Sequence, residues 1–176
     1  MALPVTREEA KRQLKSELDE ADQDDEIEAF IRDAAAWVED YTGLILEARE
    51  VVEHFAGFEP VKLRAWPVDP TATVTVEYST PGAPNQTVAA RLVANSRPAR
   101  VLPATGHFWP FIDASQNFRV TVRAGYENPD DVPRDICRAM LVLIAAFDAD
   151  REGGPIFAKA EAAAKNLCRR YKRHTL

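Results

Sequence analysis

The sequence predicts an α+β fold, and three observations carry that prediction. Apolar residues recur at helical spacing near the N-terminus, short β-branched runs broken by proline, glycine and asparagine fill the middle, and helical patterning returns after Pro133. Helices, then strands, then helices make a segregated α+β order rather than an alternating one. At 176 residues the chain suits one domain, 1–176, with helices over about 6–43 and 133–173 around a β module over about 46–126.

The N-terminal helix pair has clear signals. Thr6 followed by Glu9 has the form of a capping box, in which each residue satisfies the other's free backbone N–H, and it opens a short helix to about Leu14. A second helix is expected from about Asp24 to Tyr41. Its apolar positions Ile27, Phe30, Ile31, Ala34, Trp37, Val38 and Tyr41 share one side. Acidic residues suit its start, where the helix dipole is positive, and Gly43 suits a left-handed stop.

The middle reads as short antiparallel strands. The runs "AREVVEHFAGF", "VKLRAW", "TATVTVEYST", "QTVAARLVA", "ARVLPA" and "NFRVTVRAGY" are the candidates. Val74, Val76 and Tyr78 alternate with Thr73, Thr75 and Glu77, and Phe118, Val120 and Val122 alternate with Arg119, Thr121 and Arg123. That period of two gives a sheet with one covered face. "STPGAPNQT" reads as a loop or hairpin tip, and "PATGHFWPFIDASQN" as a longer excursion.

A third helix is expected from Pro133 to about Arg151, ending at "GGP", with Asp130 and Asp131 at its positive end. It contains nine apolar residues in a row, Ala139 to Phe147. Ile136, Met140, Leu143, Ile144 and Phe147 can cover the sheet and the second helix. Leu141, Val142, Ala145 and Ala146 are left for the remaining side. A helix apolar all round is buried all round. Either the N- and C-terminal helices complete the cover, or a neighbouring subunit does, through those four residues. A last, alanine-rich helical segment, "FAKAEAAAKNLCRRYKR", follows.

Charge is unevenly spread. The formal net charge is −6, yet every charge from Glu17 to Glu28 is negative and every charge from Lys165 to Arg173 is positive. Two surfaces with different partners would account for that, and so would two solvated helix faces. A net-negative chain is a poor general nucleic-acid binder. No stretch reaches the roughly 18 apolar residues of a membrane span. The charged start "MALPVTREEAKRQLK" lacks the apolar run of a signal peptide, which points to the cytoplasm. Cys137 and Cys168 read as free thiols.

Motifs for chemistry are missing. His54, His107 and His174 stand far apart, and no glycine-rich phosphate loop follows a strand. A calcium loop taking Asp22, Asp24 and Glu26 as first ligands would place Ile27 where glycine is needed and Asp33 where the bidentate glutamate belongs. Cys137 has no histidine nearby in sequence. The expectation is therefore no catalysis, no metal and no cofactor.

Four stretches in order resemble the head–tail connector, or adaptor, proteins of long-tailed bacteriophages and gene transfer agents. They are "VTREEAKRQLK" with "DDEIEAFIRDAAAWVEDYTGLIL", "LRAWPVDPTATVTVEY", "ARVLPATGHFWP", and "VTVRAGYENPDDVPRDICRAMLVLIAAFDADRE". The turn "ELDEADQDD" is fairly long for that family, and the last helix is unusually rich in alanine.

The resemblance implies a structural virion protein at the particle neck, made in the host cytoplasm. Such proteins close a ring of about a dozen copies under the portal, a contact in which each subunit uses two different surfaces. The ring extends the channel for genomic DNA and offers a platform to the next protein, a stopper or tail-completion protein; no membrane is involved. The C-terminal segment of these connectors commonly contacts the portal, which here points to Arg169, Arg170, Tyr171, Lys172 and Arg173. Arginine and tyrosine are also the types enriched at the energetic centre of interfaces. Three other readings compete: a stopper, a small regulatory module that binds nucleic acid through "RRYKR", and an enzyme of unrecognised type.

Overall fold

The computed structural model describes residues 3–15, 23–57, 61–80, 83–110, 118–150 and 152–172. The class is α+β, as the pattern predicts. The chain divides into two compact units, a helical one over 1–47 and 126–176 and a β unit over 48–125.

The helical unit begins with α1, Arg7–Leu14, opened by the expected capping box: Glu9 N–H donates to Thr6 Oγ1, and Thr6 N–H donates to Glu9 Oε2. Helix α2, Asp24–Thr42, stops at Gly43, whose φ of 66° is the left-handed turn that glycine adopts without strain. The chain leaving α2 is fixed by side chains. Glu39 Oε1 accepts from Leu46 N–H at 2.7 Å, and Thr42 Oγ1 accepts from Leu44 N–H at 3.1 Å.

An ion cluster holds α1 to α2. Lys11 is 4% exposed, and its Nζ lies 2.5 Å from Asp24 Oδ1. Arg7 Nη1 reaches Asp24 Oδ2 at 3.1 Å and Glu28 Oε1 at 3.2 Å. The hydrogen bond from Lys11, reinforced by the positive charges of Arg7 and Lys11, holds the Asp24 carboxyl below its ordinary pKa. Asp24 is thus a helix-start residue committed to two cations, not the ligand of a calcium loop.

Helix α3 is shorter at both ends than expected, Arg134–Ala149. Asp130 and Asp131 lie before it, in a 3-10 turn over Pro129–Asp131 that the Asn128 side chain caps. Only Asp135 supplies negative charge to the first turn of α3. Ile136, Ala139, Met140, Leu143 and Ile144 are buried and pack within the helical unit, where α1, α2 and α4 are its neighbours. Each large apolar side chain buried this way contributes about 1.5–3 kcal/mol.

Helix α4, Pro155–Cys168, folds back along α3. Asp150, just past α3, makes that corner: its carboxylate accepts from the N–H groups of Gly154 at 3.0 Å, Ile156 at 3.0 Å and Phe157 at 3.2 Å. Those bonds lower the Asp150 pKa and supply the cap that Gly154 has no side chain to give. Phe30, Phe147 and Phe157 stack in series, with centroids 6.1 and 5.5 Å apart. A further 3-10 turn, Arg169–Tyr171, continues α4.

In the β unit, β1 (Arg49–Phe55), β6 (Phe118–Ala124), β2 (Val74–Thr80) and β3 (Ala83–Val88) form one antiparallel sheet in the order β1-β6-β2-β3. Alternation along β6 is as expected: Phe118, Val120, Val122 and Ala124 are buried while Arg119 and Arg123 are exposed. Glu77 faces Arg119 across the β2–β6 ladder, and the two pair at 2.8 Å. Strands β4 (Ala90–Val93) and β5 (Arg100–Pro103) form a separate pair.

Two strand expectations change. "STPGAPNQT" is not all loop, because β3 already begins at Ala83. "VKLRAW" is not a full strand. Only Lys62 bridges, to Arg100, through Leu63 N–H to Ala99 O and Val101 N–H to Val61 O. Beyond it, the N–H groups of Arg64 and Ala65 turn to the Glu53 carboxylate, each at 2.8 Å, so no ladder can propagate.

Candidate functional site

Helix α3 has an outer face after all. Arg134, Arg138, Asp148 and Ala149 are exposed, and Leu141 and Ala145 between them are half-buried. At 100° per residue these positions fall on one side, so the stripe is charged at its ends and apolar at its centre. Val142 flanks it and is also half-buried. Ala146 lies further round, is 2% exposed, and is covered within the chain itself. Of the four residues assigned to a subunit contact, three reach the surface and Ala146 does not. The physical reason is the step from Val142 to Ala146, which advances 40° toward the buried side.

Leu141 also walls a cleft of about 330 Å³ with Val5, Glu9, Arg134, Asp135, Cys137 and Arg138. A neighbouring cleft of about 430 Å³ shares Glu9, Arg134 and Cys137 with it. Burial pushes the Cys137 thiol up from its ordinary pKa, and burial pushes Cys168 up to about 11. Neither thiol has the thiolate character of a nucleophile near neutral pH. His54, on β1, and His107 are exposed, and His174 lies outside the described residues. Among the described residues no group of three or more His, Cys, Asp or Glu is placed to hold a metal.

The basic end is laid onto the helical unit. Arg170 Nη2 lies 2.7 Å from Asp135 Oδ2 in the first turn of α3. Its guanidinium also covers the ring of Tyr171, 4.7 Å from the centroid, and it donates to the Tyr171 hydroxyl. That hydrogen bond, then Asp135, raises the Arg170 pKa. Lys172 Nζ stands 4.8 Å above the ring of Tyr41 on α2, which stacks on Trp37. Arg169 is exposed, and Arg173 lies outside the described residues. Sequence reasoning singled out this cluster but missed its partners, Asp135 and Tyr41. Both are remote in sequence, and only the return of α4 along α3 brings the chain end to them.

No protein-family model matches the sequence, and no curated protein does. Solved structures do. The fold is similar to that of a chain in the "Neck of empty GTA particle computed with C6 symmetry", with a TM-score of 0.74 and 20% identity, covering 100% of this chain and 94% of that one. It is similar to a chain in the "Virion of native gene transfer agent (GTA) particle", with a TM-score of 0.71, 20% identity and the same coverage. A third, in the "Neck of native GTA particle computed with C12 symmetry", has a TM-score of 0.64 at 20% identity over 86% of this chain and 84% of that one. At this identity the likeness is one of fold, and it runs through both units.

Proposed function

We propose that this chain is a structural neck component of a phage-like particle, specifically the adaptor that forms a ring under the portal and carries the DNA channel toward the tail. The observation that carries the reading is the similarity over the full chain to a chain from a GTA particle neck. The four sequence stretches that resemble head–tail connectors point the same way, without any contribution from that comparison. The work is geometric, not catalytic.

Leu141, Val142 and Ala145 are the proposed apolar part of the contact between copies, being the half-buried centre of the outer face of α3. The end of the chain, Arg169 to Arg173, is the proposed portal-docking element. Since Arg170 and Lys172 already rest on Asp135 and Tyr41, docking exchanges those contacts for portal contacts. The pair is well exposed, so the exchange is energetically small. The ring receives the stopper or tail-completion protein on its far side.

The test is direct binding to portal. Purified chain mixed with portal should form a ring on it, seen by negative-stain microscopy, without any other neck protein. Binding only after another neck protein is added would make this chain the stopper instead.

A further inference from the structure

On one face of the β unit, four cations stand together without carboxylate partners. Lys62 and Arg100 are directly opposite in an antiparallel bridge. The two backbone bonds lie to either side of the pair, which is the closer kind, with Cα atoms about 4.5 Å apart. Arg91 is two residues from Val93, the residue paired with Arg100, and so lies on the same face. Arg64 is two residues beyond Lys62, in a stretch where Val61, Leu63 and Ala65 are buried and Lys62 and Arg64 exposed. None of the four makes an ion pair among the described residues. Like charges directly opposite on a sheet are destabilising. A fold that sets lysine against arginine there, with no acid beside them, is arranged for an anionic partner.

The chain carries a matching surface. Residues 48–125 hold eight Lys and Arg against six Asp and Glu, while the helical unit holds fourteen against twenty-two. On α2, Asp33 and Asp40 are exposed and without an ion pair among the described residues. Seven residues apart, they share a face about 10 Å long. The small exposed Ala36 between them leaves room for long cationic side chains. We infer that the Lys62–Arg64–Arg91–Arg100 face of one copy docks on the Asp33–Asp40 face of α2 in the next copy. This is the charged half of the contact between copies, and it rests on the ring reading above. Two different patches meeting head to tail are what a closed ring uses. Duplex DNA is the other polyanion such a face would suit, but the net charge of −6 opposes its approach.

Charge reversal tests the assignment. Assembly is followed by sedimentation velocity for the chain alone, and by negative-stain images of the chain mixed with portal. Arg91→Glu with Arg100→Glu is expected to raise the concentration needed for assembly at least about tenfold, and so is Asp33→Arg with Asp40→Arg. The four changes combined in one chain should restore assembly. For the unaltered chain, assembly should weaken as salt rises from about 50 to 500 mM. If a reversed variant fails to fold by circular dichroism, Arg91→Gln with Arg100→Gln takes its place and must show the same loss. Unaltered rings from the Arg91/Arg100 variants overturn this inference and leave the ring reading standing. A loss that the fourfold variant does not restore, or a loss only of binding to a DNA duplex, also overturns it. Absence of rings from the unaltered chain on portal overturns the ring reading itself.

Discussion

Arg170, on the turn after α4, and Asp135, in the first turn of α3, form an ion pair of 2.7 Å. The pair ties the basic end of the chain to the helix whose outer stripe holds Leu141 and Ala145. One carboxylate therefore stands between the two surfaces proposed for assembly.

Asp135→Asn is expected to loosen that end without unfolding the protein. Hydrogen exchange at 169–172 should quicken, while the melting temperature moves only slightly, because the pair is solvated. If docking requires release of Arg170, portal affinity should rise a few-fold in the variant, since the docking-competent population is larger. Unchanged exchange at these amides would show that Tyr41 and Tyr171 hold the segment without Asp135.

Much of this was legible locally. The capping box at Thr6 and Glu9, the stop at Gly43 and the alternation along β6 are set by residues a few positions apart, and they fold as read. The misreadings involve partners distant in sequence. Glu53 takes the N–H groups of Arg64 and Ala65 and ends a strand that β-propensity favours. Asp150 reaches forward to cap α4, so α3 stops earlier than its composition suggests. The apolar run in α3 concealed an outer face because its middle turn places Leu141 and Ala145 where a polar residue would have marked it. Asp135 and Tyr41 gave no sequence sign of their role beneath the basic end.

Acid should weaken the helical unit in a defined window. The folded pKa of Asp24 lies below its ordinary 3.8, chiefly through its hydrogen bond from Lys11, and that of Asp150 lies below 3.8 through the N–H groups at the start of α4. A carboxyl depressed in this way stabilises the fold at pH above its unfolded value, and the contribution is lost as pH falls through the folded pKa. Melting temperature should therefore be flat near neutrality and fall below about pH 4. Asp24→Asn should lower stability at pH 7 and flatten that fall. An equally steep fall in Asp24→Asn and Asp150→Asn would assign it to other carboxyls.

Glutamate scanning of α3 should separate outer stripe from core. Leu141→Glu and Ala145→Glu are expected to cost about 1 kcal/mol or less and to block ring formation. Ala146→Glu buries a charge at a position 2% exposed and should unfold the chain. Leu143→Ala, a core truncation, should cost about 2–5 kcal/mol. Chemical denaturation gives the stabilities, and negative-stain images with portal give the assembly. Normal rings from the Leu141 and Ala145 variants would remove this stripe from the interface.

Deleting Arg169 to Leu176 tests the docking role of the chain end. The 3-10 turn Arg169–Tyr171 follows Cys168, the last buried residue of α4, so truncation there spares the packed face of the helix. What goes is the ion pair to Asp135 and the cation over Tyr41, both on the exterior and each worth little in water. The truncated chain is therefore expected to fold, with a melting temperature close to that of the full chain. Portal binding, measured without DNA, should fall by at least about tenfold, since the segment carries a tyrosine and four cations of the kinds that anchor interfaces. Contact with channel DNA predicts a different pattern: portal binding is retained, and a salt-dependent affinity for duplex is lost. An ordinary solvated helix end, whose cations merely suit the dipole, predicts no change in either. Retained portal binding in the truncated chain ends the docking assignment whichever of those two patterns accompanies it.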